Sequence, residues 1–138
     1  MRVLVDTCVW SDALRKVNFK ADDPIVKELK ELIREGRVQM IGPIRQEILS
    51  GIRSQVQYDT LRSYLNSFPD LTLQAQDFEK AAEFYNLNRR KGIQGSNTDF
   101  LICAVASRYK ISILTTDHDF NLFRENITIK LHTSRFSN

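Results

Sequence analysis

The chain has 138 residues and a formal net charge of +3, with 42% apolar and 27% charged positions. That length fits one compact domain over residues 1–138, large enough to bury a full core without a disulfide or zinc staple. The composition excludes a disordered chain, and no apolar run approaches the roughly 18 residues that a membrane span requires.

At the N-terminus, Met1-Arg2 leads into Val3-Leu4-Val5, but Asp6 and then Asp12 interrupt the run, which argues against a secretory signal. The expected compartment is the cytoplasm. The cysteines, Cys8 and Cys103, agree with it, because they form no CxxC pair and no disulfide framework. The pI near 9.0 is only mildly basic. If several acidic residues serve one site, the remaining surface is more positive than the total, with Arg45, Arg53, Arg89, Arg90 and Lys91 as the candidate excess.

In chain order, Arg2 to Val5 reads as a buried first strand ending at Asp6. From Asp23-Pro24, the residues Ile25, Val26, Leu29, Leu32 and Ile33 recur at helical spacing, and Gly36 stops that helix. Val38, Met40 and Ile41 predict a second strand closed by Gly42-Pro43. A helix follows with Ile44, Ile48 and Leu49 inward and Gly51 near its end. Tyr58, Leu61, Tyr64 and Leu65 continue the helical pattern to Phe68-Pro69, and Leu71-Thr72-Leu73 predicts a short strand. Phe78, Ala81, Ala82 and Tyr85 mark an amphipathic helix running into Arg89-Arg90-Lys91 and Gly92, and Ile93 to Asn97 reads as a loop. Phe100 to Ala106 reads as a buried helix, Ile111 to Leu114 as a strand, and the alternation of Ile127, Ile129 and Leu131 as a final strand. The alternation of strands and helices predicts an α/β fold, a parallel sheet covered on both faces. In such sheets ligands sit beyond the carboxyl ends of the strands.

That rule collects carboxylates. Asp6 and Asp117 end two strands, Asp99 opens the buried helix, and Glu47 lies early in the helix after the second strand. Crowded carboxylates repel one another unless a cation neutralises them. Mg²⁺ and Mn²⁺ are hard ions suited to such oxygen ligands, and the chemistry they support is hydrolysis of a phosphodiester. No Ser-His-Asp spacing, P-loop or HExxH motif offers another catalytic set.

Each residue also has a bland reading. Asp6 could cap the helix that follows it, and Thr98 or Asp99 could be an ordinary N-cap. Glu47 could be a solvated helix residue, and Asp117 and Asp119 could be turn residues, with Thr7 and Thr116 as caps. Arg89 to Lys91 could be a solvated helix end favoured by the macrodipole. Cys8 and Cys103 read as small buried hydrophobes, Trp10 and Phe100 as core, His118 as a surface turn, and His132 has no visible partner. The joint order of the acidic residues favours the site.

That order resembles the PIN-domain family, and within it the VapC-type toxins of bacterial toxin–antitoxin pairs. The matching pieces are the N-terminal VLVDTCVW, PIRQEILSG around Glu47, SNTDFLICAVA around Asp99, and ILTTDHDF late in the chain. The resemblance implies a three-layer α/β/α PIN-like fold whose central, mostly parallel sheet has about five strands. It implies a Mg²⁺- or Mn²⁺-dependent endoribonuclease with Asp6, Glu47, Asp99 and Asp117 as its acidic site, of which Asp6, Asp99 and Asp117 are the main metal ligands. Thr7, Thr116 and Asp119 occupy supporting positions of the family pattern, and Arg89, Arg90 and Lys91 are placed to grip RNA phosphates. The partners implied are an RNA (tRNA, rRNA or mRNA), a small antitoxin and a second copy of the chain, with no membrane. The alternative that keeps the fold is a catalytically inactive PIN-like RNA- or protein-binding module. A receiver-type module would want an early acidic pair and a late Lys, and a haloacid-dehalogenase-like phosphatase would want Asp-x-Asp where this chain has Asp6-Thr7-Cys8.

Overall fold

The computed structural model describes residues 1–14 and 23–137. Its sheet consists of β1 (Val3–Val5), β2 (Val38–Gln39) and β3 (Ser112–Leu114), in the order β2-β1-β3. Both pairings are parallel, with Val3 opposite Val38 and Ser112, and Val5 opposite Leu114. A parallel sheet covered on both faces needs strands that are apolar throughout, and Val3, Leu4 and Val5 are fully buried.

Helices α1 (Thr7–Leu14), α2 (Pro24–Arg34), α3 (Gly42–Leu49), α4 (Gln55–Leu65), α5 (Ala75–Arg90), α6 (Asn97–Tyr109) and α7 (Asp119–Phe123) surround it. Asp23 caps α2 by accepting from Ile25 N at 2.8 Å, and Gly36 ends the segment at φ +69°. Gly42-Pro43, expected to close the second strand, instead opens α3. The fixed φ of proline suits a first helical turn, where its missing N–H costs nothing.

Of the five strands the sequence predicts, two are reduced to single parallel bridges among the described residues, Met40 with Asp70 and Ile113 with Leu131. Each has a physical reason. At the Met40 edge, the Thr72 carbonyl accepts from Arg108 Nη2 at 3.3 Å and the Tyr109 hydroxyl at 3.1 Å, while the Arg45 guanidinium ties the Asp70 carboxylate to Leu65 O at 3.0 Å and to Phe68 O. Arg45 is thus a structural residue and not part of a free basic surface. At the other edge, Ile113 N binds Lys130 O and His132 N binds Ile113 O, after which the chain is drawn onto α2 by Glu28. His132, expected to lack a partner, sits with Nε2 2.5 Å from Glu28 Oε2.

From Phe100 to Ala106, α6 is buried all round, the state expected of a helix that is apolar on every face. It packs against α5, where Ala81 is buried and Tyr85 meets Phe100 as the predicted face requires, while Phe78 and Ala82 of that face are exposed. Asp77, Ala81 and Asn88 are buried, while Phe78 is 53% exposed. Arg108 of α6 holds the buried Asp77 carboxylate in a fork, Nε to Oδ1 at 2.6 Å and Nη2 to Oδ2 at 2.8 Å.

Candidate active site

Because β1 and β3 run parallel and in register, the residues just past their carboxyl ends lie side by side. Asp6 N extends the ladder to Leu114 O at 2.9 Å. Thr115 Oγ1 then donates to Asp6 Oδ2 at 2.8 Å and accepts from Asp117 N at 3.0 Å. One hydroxyl therefore links the carboxylate at the first strand end to the backbone that carries the second. The other Asp6 oxygen accepts from Thr7 N at 2.8 Å, and the Cys8 thiol lies 3.3 Å from Oδ2.

Two helices bring the remaining acids. Thr7 Oγ1 of α1 donates to Glu47 Oε1 of α3 at 2.6 Å, across the mouth of the site. The N-cap of α6 is Ser96, not Thr98 or Asp99, and Asp99 completes a capping box with it. Ser96 Oγ accepts from Asp99 N and Asp99 Oδ2 accepts from Ser96 N, both at 3.0 Å. The turn before this cap needs glycine, since a Cβ on Gly95 would stand 2.7 Å from the Phe123 ring and 2.8 Å from that of Phe100. Close packing of these two rings thus helps fix where α6, and with it Asp99, begins.

Asp6, Glu47, Asp99 and Asp117 line one cleft of about 650 Å³. Of the other expected residues, Thr7 lines the cleft with these four, while Thr116, Asp119 and the Arg89 to Lys91 triplet are not among its lining residues. Asp119 opens α7, and its N–H holds Asp117 Oδ1 at 2.9 Å while its carboxylate faces solvent. Thr116 is exposed and donates to Cys8 Sγ at 3.1 Å, so it touches no carboxylate of the cleft. Arg89, Arg90 and Lys91 end α5, separated from α6 only by the connection 91–96. Arg89 lies over the Tyr85 ring, 5.6 Å from its centroid, and donates to the Tyr85 hydroxyl at 3.2 Å.

Thr115 was not among the residues singled out in the sequence. Its signal is register parity: in the run Leu114-Thr115-Thr116-Asp117, the hydroxyl level with Asp6 belongs to the first threonine, and a shift of one residue reverses which face a side chain occupies. Cys8 also departs from expectation, because it is half-buried and lines the cleft, whereas Cys103 is a core residue as expected.

The electrostatics follow from the crowding. Burial pushes the Asp6 carboxyl above its usual range against the hydrogen bonds from Thr115, Cys8 and Thr7, and the charge of Asp117 adds to the rise. Burial also raises Asp99, where the Ser96 amide opposes it and the charges of Asp6 and Asp117 reinforce it. The Cys8 thiol is raised by burial and then by Asp6, which keeps it protonated as a donor. Among the described residues, no Lys, Arg or His lines the cleft.

As the side chains stand, no group of three or more His, Cys, Asp or Glu among the described residues is placed to hold a metal ion. One oxygen each of Asp99, Asp117 and Glu47 is turned to a protein donor. The second oxygen of each accepts no hydrogen bond among the described residues. The donor set nonetheless has the chemistry of a hard-cation site: oxygen only at the acids, uncompensated negative charge, and acceptors left open.

Comparisons with known proteins bear on the family and the fold. Residues 3–126 match the family described as the PIN domain. Ribonuclease VapC11 of Mycobacterium tuberculosis and VapC ribonuclease Mb1587 of Mycobacterium bovis are each 35% identical to this chain over 124 residues, spanning 87% of it and 90% of their own length. VapBC2 from Rickettsia felis, solved bound to a DNA fragment from its promoter, superposes with a TM-score of 0.75 at 18% identity, covering 96% of this chain and 98% of that one. FitAcB from Neisseria gonorrhoeae gives a TM-score of 0.74 at 18% identity, covering 95% and 96%. At such identities the two structures speak for the fold alone. Sequence and fold together place this chain in the PIN-domain family, on its VapC branch.

Proposed function

We propose that the chain is a divalent-metal-dependent endoribonuclease, the toxin of a toxin–antitoxin pair, acting through Asp6, Glu47, Asp99 and Asp117. The reading takes residues 1–138 as a single PIN-like domain. One observation carries it: four carboxylates line one cleft without a cationic side chain among the described residues. Burial and mutual repulsion have already raised Asp6 and Asp99. Such a cluster is stable near neutral pH only when positive charge is supplied from solution. The VapC ribonucleases at 35% identity support the same reaction class.

Asp6, Asp99 and Asp117 would hold Mg²⁺ or Mn²⁺, which when bound neutralises the cleft and polarises a phosphoryl oxygen. Thr115 and Cys8 fix Asp6, and the Asp119 amide fixes Asp117, so these carboxylates keep their orientation as charge arrives. Glu47, held by Thr7 at the mouth, is the group placed to orient the attacking water and accept its proton. Arg89, Arg90 and Lys91 give a sequence-independent grip on RNA phosphates. A second groove, of about 1010 Å³ between α1 and α4, shares Glu47 and Ser50 with the cleft and carries Ile52, Val56 and Tyr64. An antitoxin segment lying there would reach the acids directly. The chain would act as a homodimer.

The deciding experiment incubates the purified protein with tRNA, rRNA and mRNA in Mg²⁺, in Mn²⁺ and in EDTA, beside Asp6→Asn and Asp99→Asn. Cutting that requires the ion and both carboxylates is expected. Cutting that survives EDTA or both substitutions rejects the mechanism, and binding without cutting in either metal favours the inactive PIN-like module.

A further inference from the structure

A third groove, of about 520 Å³, opens beside the acidic cleft between α5 and the start of α6, and the two share Pro43 and Thr98 as walls. Its chemistry differs from that of its neighbour. Among the described residues it has no charged lining side chain. It presents the rings of Phe78 and Tyr85, the pyrrolidine of Pro43, and the amides of Asn86 and Asn97. Neither amide side chain has a hydrogen-bond partner among the described residues, and both residues are exposed. The Tyr85 ring is anchored edge-on to Phe100 at 5.6 Å, while Arg89 covers it from the end of α5.

We propose that this groove is a nucleobase subsite, holding an unpaired base of the RNA next to the phosphate in the acidic cleft. The inference rests on the endoribonuclease reading and names what that site would recognise. A base is flat and uncharged, and it carries a donor–acceptor edge. It matches an aromatic wall flanked by free amides better than a phosphate would, since a phosphate would want the cations that the lining lacks. Single-stranded RNA is read in this way, by stacking on an aromatic ring and hydrogen bonding at the base edge. The shared walls set the base adjacent to the reacting phosphate, and Arg89 stands where the strand would leave the groove. A second copy of the chain is the weaker occupant. The apolar part of the lining is Pro43, Phe78, Ala81, Ala82, Tyr85 and Leu101, interrupted by the amides of Asn86 and Asn97, a small patch for a subunit contact. Stable dimers bury about 800 Å² per partner.

The test measures binding and cutting separately. Fluorescence anisotropy reads the affinity of labelled single-stranded oligonucleotides, with and without one abasic position, for the full-length chain carrying Asp6→Asn. Cleavage kinetics in Mn²⁺ read the intact protein. Tyr85→Leu and the double change Asn86→Ala with Asn97→Ala should each weaken binding about tenfold and raise KM by a similar factor, leaving kcat in place, while Tyr85→Phe keeps both. An abasic position that removes the stacked base should erase the difference between Tyr85→Leu and its parent. The two asparagines are surface residues, so their result stands even if Tyr85→Leu perturbs the fold. Unchanged affinity in the asparagine double variant and in Tyr85→Leu overturns the subsite, even if the intact chain cuts RNA. Loss of affinity together with a halved mass in sedimentation assigns the groove to a second copy and also overturns it. If the intact chain cuts nothing but binding follows these substitutions, the subsite stands and the nuclease reading fails.

Discussion

Glu28 and Asp6 are both carboxylates taken out of water, and their surroundings treat them in opposite ways. Burial pushes Glu28 up, yet the hydrogen bonds of Arg135 and then His132 more than reverse this, and its carboxyl settles below the usual range. Arg135 reaches it through Nε at 2.9 Å and through its backbone N–H at 3.2 Å. Asp77 is held low by the Arg108 fork. In the cleft, burial raises both Asp6 and Asp99 against neutral donors only, and neighbouring carboxylates add to the rise, Asp117 at Asp6 and Asp6 and Asp117 at Asp99. Where the fold balances a buried charge internally, the carboxylate joins elements, here α2 to the C-terminal segment and α5 to α6. Where the balance is left open, the missing charge has to come from solution, and there the proposed chemistry would reside.

The contrast can be broken by substitution. Asp6→Asn and Asp99→Asn are expected to reduce RNA cleavage about 10³-fold, the loss of several kcal/mol of transition-state stabilisation. The melting temperature of the metal-free protein should hold or rise, because repulsion is relieved. A fall in melting temperature with activity preserved would place these carboxylates with Glu28. Arg108→Ala should do the reverse. By removing the partner of Asp77, which is 1% exposed, it is expected to lower the urea midpoint clearly and to leave kcat of the folded fraction near the parent value.

Thr115→Val is expected to cost about 10- to 100-fold in cleavage, with Thr115→Ser restoring most of it, since the hydroxyl orients Asp6 without touching RNA. The smallest effect is the sharpest in sign. Groups raised in the folded state stabilise it below their unfolded pKa, and that contribution is lost as pH rises through the folded value. The metal-free melting temperature should therefore sag from about pH 4 upward on account of Asp6 and Asp99, and Mg²⁺ or Mn²⁺ should remove the sag. Glu28 and Asp77, held low, act oppositely, and their stabilisation disappears as pH falls through their lowered values. Melting curves across pH, with and without the ion, check both limbs.

How much was legible depended on distance and parity. That Asp6, Glu47, Asp99 and Asp117 share an edge follows from strand–helix alternation, because carboxyl ends of parallel strands point one way and the intervening helices begin or return there. The choice between Thr115 and Thr116 needs the register of two strands whose sequences lie over a hundred residues apart, which periodicity cannot supply. The same limit hid the bond between Glu28 and His132. For α5, the spacing of Phe78, Ala81, Ala82 and Tyr85 indicated an inward face of which Ala81 and Tyr85 do pack inward, but the buried Asp77, paired with Arg108 on another helix, was not legible. In the predicted strand Leu71 to Leu73, the Thr72 carbonyl is taken by Arg108 and the Tyr109 hydroxyl, a side-chain capture that strand periodicity does not reveal.

The two oxygens of Asp99 have separate duties, one accepting the Ser96 amide that starts α6, the other turned to the cleft. Exchange of a single atom at this residue, oxygen for nitrogen, silences the second duty and spares the first, whereas truncation to alanine removes both. If Asp99 is the metal ligand proposed above, an Asn copy is expected to fold and bind without cutting, whereas an Ala copy is expected also to weaken the start of α6.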